Sequence, residues 1–286
     1  MLKLKSKTVT CVIVCLFFIL PSSVFSDNTL ILQIHPYLPS SELLSKFSPL
    51  IKYLETRLES DIVCNISKDY EEHINLVGND KVDIAYLGPV SYVKMVKNFG
   101  SKPLLARLEV KGSPLFQGVI VTYKSAAVES VQKLKGKSFA FGDPNSTMSY
   151  IVPLTVLNDH GIKLDDLAKH SFLSGHSNVA LGVLMGDFDA GAVKEEVFHE
   201  YKDRGLIALE WTPRISEHLF VAKSSLPGSI INALRVALLS LKDDPDAGRI
   251  MSSIKQGVTA LVPVEDRDYE NLRDIMKKAE KISAGK

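Results

Sequence analysis

Short runs of β-branched and apolar residues alternate along the chain with stretches whose apolar positions recur every three or four residues. The extended runs predict strands over Thr29–Ile34, Ile62–Ile66, Ile84–Leu87, Lys102–Val110, Gly118–Tyr123, Ser138–Phe141, His170–Leu173, Ala190–Val193, Leu206–Trp211 and His218–Ala222. Helical periodicity fills most of the gaps. In Ser41–Leu58 one stripe holds Leu43, Leu44, Phe47, Leu50, Ile51, Leu54 and Leu58. Pro49 predicts a break or kink there, because it lacks an N–H and crowds the preceding turn. Further helices are expected over residues 130–136, from about Val179, and over Ser229–Lys242 and Asp266–Ile282. This alternation predicts an α/β fold on mainly parallel sheets flanked by helices.

Residues 1–26 break the pattern. Lys3, Lys5 and Lys7 precede an apolar run from Val9 to Leu20, and Val24-Phe25-Ser26 suits a signal peptidase. The run is about a dozen residues, short of the roughly 20 a membrane span needs. An export signal cleaved near Ser26, and a soluble mature chain, are therefore expected. Cleavage removes three lysines and no acids, which takes the formal charge from +1 to −2 and leaves 260 residues, enough for two lobes. No basic stripe is present, so a nucleic-acid partner has no electrostatic support. Cys64 alone remains after cleavage, which leaves no internal disulfide to form.

Two apolar runs end alike in Lys-Ser: QGVIVTYKSA at 117–126 and SEHLFVAKSS at 216–225. Read as paired crossings, they divide the chain into a first lobe of residues 27–121 and 220–286 and a second of 122–219. A two-strand hinge and a cleft between the lobes follow.

Candidate chemistry centres on FGDPNSTMSY, residues 141–150, where a strand hands over to a helix. Asp, Asn, Ser and Thr cap helices, and a helix N-terminus also presents free N–H groups to an anion. Cap and anion site are equally consistent with this segment alone. No HxxxH, CxxC, Walker loop, nucleophile elbow or dinucleotide loop is present, so no metal, cofactor or catalytic residue is expected.

Taken together, FSPLIKYLETRL, DYEEHINLV, KVDIAYLGPVSYV, LKGKSFAFGDPNSTMSYIVP and SGHSNVALGVLMGDFDAGAV make the chain resemble the phosphate/phosphonate-type periplasmic solute-binding proteins of ABC transporters. The resemblance covers essentially the whole mature chain and implies the two-lobed class II binding fold. It implies that Ser146 and Thr147 hold a phosphorus oxyanion with hydroxyls and N–H groups. Met148 would donate its N–H, and Ser149 would either supply a replacement hydroxyl or face the helix. The resemblance further implies that His176, in Gly-His-Ser-Asn, points into the cleft. Tyr70 and Tyr86 would contact the ligand from the first lobe, with Tyr37 at the cleft edge. Of Lys194, Glu195 and Glu196, the cleft contact turns on a one-residue register, with Lys194 and Glu196 favoured. His35, His73, His160, His170, His199 and His218 read as structural or surface residues.

The implied function is capture of phosphate, phosphite or a phosphonate by a monomer that delivers it to an ABC permease. A periplasmic sensor subunit for a membrane kinase or cyclase has the same fold and is the alternative. A pyrimidine-synthase-like enzyme shares the architecture, but relies on His and Cys chemistry that this chain does not display.

Overall fold

The computed structural model describes residues 29–126 and 128–284. The expected export signal lies outside the described residues. The first lobe begins with β1 (Leu30–Ile34), α1 (Ser40–Leu58), β2 (Ile62–Ile66), α2 (Tyr70–Gly78), β3 (Ile84–Leu87), α3 (Pro89–Phe99) and β4 (Leu104–Val110). β5 (Leu115–Phe116) then carries the chain across to β6 (Gly118–Tyr123), β7 (Ser138–Phe141), α4 (Val152–Asp159), β8 (Lys169–Phe172), α5 (His176–Leu184), β9 (Ala190–Lys194), α6 (Glu195–Tyr201) and β10 (Leu206–Trp211). β11 (Ile215–Ser216) returns it to β12 (Leu219–Ala222), α7 (Gly228–Ser240), α8 (Ala247–Ile254), β13 (Val258–Val262) and α9 (Glu270–Ser283).

Each lobe is built on one sheet, ordered β13-β4-β12-β3-β1-β2 in the first and β10-β6-β9-β7-β8 in the second. Both are mixed, where mainly parallel sheets were expected. β1 pairs in parallel with β2 and β3, as does β7 with β8 and β9. The strands that follow a crossing, β6 and β12, run antiparallel to their neighbours. A strand entering from the other lobe is not tied to a βαβ crossover and so is free to pair in that sense.

The crossings differ from the expected ones. β6 pairs with β9 from Gly118 onward, so the boundary expected after residue 121 falls inside a strand of the second sheet. β6 and β12 lie in different sheets. The two connections are instead β5 and β11, which pair antiparallel through Ile215 opposite Phe116.

α1 continues through Pro49 without a break. Leu43, Phe47, Leu50 and Leu54 are fully buried on its inner face. Burial of each side chain contributes about 1.5–3 kcal/mol, which together outweighs the roughly 3 kcal/mol penalty of an internal proline. β13, VTALV, was not expected from the sequence; it pairs with β4 at the sheet edge. The last helix joins the lobes: Leu272, Met276 and Ala279 of α9 share one buried cluster with Val90 and Tyr92 of α3 and with Ile151 and Leu154 of the second lobe.

Candidate ligand-binding cleft

The turn after β7 begins with an Asx turn, in which Asn145 donates its N–H to Asp143 Oδ1 at 2.6 Å. Residues Thr147–Ile151 then form a π-helical turn that runs directly into α4, with Ile151 N–H donating to the Ser146 carbonyl at 3.1 Å. A π turn is wider than an α turn and is common at functional sites. As the first residues of the helix, Thr147 and Met148 have N–H groups with no acceptor inside it. Ser146 caps the turn by accepting the Ser149 N–H at 3.2 Å.

Two close approaches fix this turn and its neighbour. A Cβ on Gly118 of β6 would lie 2.8 Å from Met148 Cβ, so only glycine lets the turn sit against the sheet. A Cβ on Gly191 of β9 would lie 2.6 Å from Val179 Cγ1, so glycine lets α5 pack close on that strand. α5 opens at His176, three residues earlier than expected, with Gly175 as its cap. His176 Nδ1 accepts the Lys194 N–H at 3.1 Å. That bond leaves the ring's proton on Nε2, which lies 3.4 Å from Ser146 Oγ. Burial, reinforced by Lys194, lowers the His176 pKa to about 3, so the ring is neutral.

These groups meet the first lobe around a cavity of about 10 Å³. Ser146, Thr147, Met148, His176 and Lys194 line it from the second lobe. His35, Tyr37, Tyr70 and Gly88 line it from the first, and Phe116 and His218 from the connections. The cavity matches roughly the space one water needs.

The lobes are closed on each other around this cavity. The Val90 N–H, in the first turn of α3, donates to Thr147 Oγ1 at 3.1 Å. Lys94 Nζ donates to Asn145 Oδ1 at 2.5 Å, and Lys46 Nζ lies 3.5 Å from Glu196 Oε1.

Lys194 is the cation of the site. Its Nζ lies 4.0 Å from the centre of the Tyr37 ring and 2.8 Å from Glu196 Oε2. Burial lowers the lysine, while Glu196 opposes that shift. Burial would raise the Glu196 carboxyl, but the charge and hydrogen bond of Lys194 outweigh it and hold the pKa at about 2. Burial raises Tyr37 and Tyr70, keeping both phenols as hydroxyl donors.

The expected residues divide accordingly. Ser146, Thr147, Met148, His176, Tyr37, Tyr70 and Lys194 come together at the cavity. Ser149 does not reach it, because its Oγ donates to the Ala192 carbonyl at 2.5 Å. Tyr86 lies one layer behind, its ring packed against Phe47 and Phe220 at 4.9 Å from each. Glu196 acts through Lys194, and Glu195 faces outward beside His199 at 3.4 Å.

Sequence reasoning missed His35 and His218, which it read as structural or surface residues. His35 follows the carboxyl end of β1, where open α/β sheets bind ligands, and that position was the available signal. Both nitrogens of its buried ring lack a hydrogen-bond partner.

A sequence-family model described as "ABC transporter, phosphonate, periplasmic substrate-binding protein" matches residues 32–269. The phosphate-import protein PhnD of Mycolicibacterium smegmatis is 29% identical over 276 residues, covering 87% of this chain and 85% of that protein. A probable ABC transporter phosphite-binding protein, PhnD1 of Prochlorococcus marinus, is 25% identical over 240 residues, 70% of this chain and 80% of that one. The solved structure of Prochlorococcus marinus PhnD1 in complex with methylphosphonate superposes with a TM-score of 0.81 at 22% identity, covering 88% of this chain and 98% of that one. The binding-protein component of a Pseudomonas aeruginosa ABC phosphonate transporter superposes with a TM-score of 0.82 at 19% identity, covering 91% and 89%.

Proposed function

The chain belongs to the periplasmic substrate-binding proteins of phosphonate ABC transporters, and we propose that it captures a compact tetrahedral oxyanion and delivers it to the membrane permease. Phosphate, phosphite and methylphosphonate are compact oxyanions of that chemistry. The reading includes an export signal over residues 1–26 removed near Ser26, and a monomeric mature protein.

One observation carries it. The free N–H groups of Thr147 and Met148, the hydroxyls of Ser146 and Thr147, and the Nε2–H of His176 converge on one cavity opposite Tyr37 and Tyr70. Every one of these groups is a donor, and the one lysine lining the cavity is already paired with Glu196. An anion there is held mainly by dipoles and hydrogen bonds, at about 1.5–3 kcal/mol for each bond to a charged group. With space for about one water, the cleft must part somewhat to seat any ligand, and a compact oxyanion parts the lobes less than one with a bulky organic substituent.

Replacing Ser146→Ala together with Thr147→Ala removes both hydroxyls of the turn. Calorimetric titration with phosphate, phosphite and methylphosphonate is expected to show binding by the parent chain and none by the double variant. Equal affinity in the two chains defeats the assignment.

A further inference from the structure

His218 differs from the other histidines of the cleft in what stands behind it. It follows Glu217, a carboxylate with no solvent exposure, in the returning connection just before β12. Glu217 Oε2 accepts from His218 Nδ1 at 2.8 Å and from the His218 backbone N–H at 3.0 Å. Its other oxygen receives Lys255 Nζ from the end of α8, and its carbonyl accepts the Tyr269 hydroxyl at 2.8 Å. The carboxylate is therefore fixed in place.

A carboxylate only accepts hydrogen bonds, so the ring proton of His218 resides on Nδ1. In the neutral ring Nε2 then carries a lone pair, on a side chain that lines the cavity. A lone pair facing an oxyanion repels it unless a proton lies between them.

The neighbouring groups make His218 the ring able to supply that proton. Lys194 and His176 face it from the second lobe. Lys194 is matched by Glu196, and His176 cannot become an imidazolium without losing the Lys194 N–H that its Nδ1 accepts. From the first lobe, His35 lies 5.2 Å away between ring centres and Tyr86 stacks at 5.5 Å. Tyr37 lies 5.9 Å away. Tyr70 and His73 stand beyond His35. None of these offers His35 a carboxylate. Burial lowers the His218 pKa below the ordinary imidazole value and Glu217 opposes that shift, so the ring is neutral in the empty cleft and a negative charge brought beside it acts in the same sense as Glu217.

We propose that His218 becomes an imidazolium when an oxyanion is bound, donating Nε2–H to a ligand oxygen and Nδ1–H to Glu217. The proton comes from the solvent when the ligand arrives as a dianion, or from the ligand's own P–OH when it arrives as a monoanion. This rests on the oxyanion-binding function proposed above. It makes the cleft a proton-linked binder, with affinity falling as pH rises through the window between the ring's pKa in the empty cleft and its higher pKa beside the bound anion.

The test is nitrogen-15 NMR of the histidine rings in the full mature chain, with and without methylphosphonate. It is run at about pH 7.5, one unit above the ordinary imidazole value. The expected result is one ring with both nitrogens protonated, present only with ligand, absent in His218→Gln and weakened in Glu217→Gln. The affinity of His218→Gln should also fall less steeply with pH than that of the parent, by about tenfold per pH unit for the one proton lost. Methylphosphonate bound with a neutral His218, or an imidazolium signal that survives His218→Gln, overturns the inference alone. Failure of phosphate, phosphite and methylphosphonate alike to bind overturns the proposed function and this inference with it.

Discussion

The two nitrogens of His176 serve different partners, and two substitutions separate them. Nδ1 accepts the backbone N–H of Lys194 at 3.1 Å, which ties α5 to the end of β9. Nε2 carries the proton and points toward Ser146 and the cavity. An asparagine amide reaches about as far as Nδ1, and a glutamine amide about as far as Nε2. His176→Asn should therefore keep an acceptor for the Lys194 N–H and lose the donor to the ligand. The loss of one hydrogen bond to a charged group, about 1.5–3 kcal/mol, weakens binding by roughly 10- to 150-fold. His176→Gln should do the reverse, keeping a donor near the ligand and leaving a buried N–H unsatisfied. That costs about 1–3 kcal/mol of stability, or a melting temperature lower by about 2–12 °C for a chain of this size. Calorimetric titration with methylphosphonate and thermal melts of both variants read the two effects separately. Equal binding losses in the two variants, or an asparagine variant that binds like the parent, would refute the division of roles.

Gly118→Ala places a Cβ 2.8 Å from Met148 Cβ and 3.0 Å from the Val193 carbonyl oxygen. It should cost about 1–3 kcal/mol in chemical denaturation and weaken ligand binding by pushing the turn into the cavity; a fully stable variant would contradict the packing argument. Acidification should destabilise the ligand-free chain well before carboxylates protonate. Burial holds His73 and His176 at about 3, against an ordinary value of 6.5. Between those values the unfolded chain binds protons that the folded chain refuses, so stability falls as pH drops through the window. At about pH 5 each ring costs about 2 kcal/mol. Glu196, lowered to about 2, pulls the same way, but only below about pH 4.5, where unfolded carboxylates protonate. Equal denaturant midpoints at pH 7 and pH 5 would show that these rings are not held neutral.

Most strands were legible because a buried parallel strand is apolar throughout, as in Ile84–Leu87, where all four residues are buried. β13 was not, since VTALV lies at a sheet edge between two helical patterns and shows neither clean alternation nor a long apolar run. The turn at Ser146 and Thr147 announced itself through its capping residues. The partition of Ser149, Tyr86 and Glu196 away from the cavity depends on side-chain direction, which local pattern does not carry. His218 was illegible for a related reason: its role comes from Lys255, 37 positions further along the chain, meeting Glu217 beneath it. Proline at position 49 misled because its local penalty is outweighed by burial that only the folded lobe supplies.

The last helix has a practical consequence for anyone attaching something to this protein. Because α9 lies on both α3 and the residues after Ile151, its end at Ser283 and Ala284 sits beside Lys94 and Pro144, on the seam where the halves meet. A bulky fusion placed immediately behind Ala284 would act as a wedge there, whereas a small fluorophore would be a gauge, brightening or dimming as the halves swing.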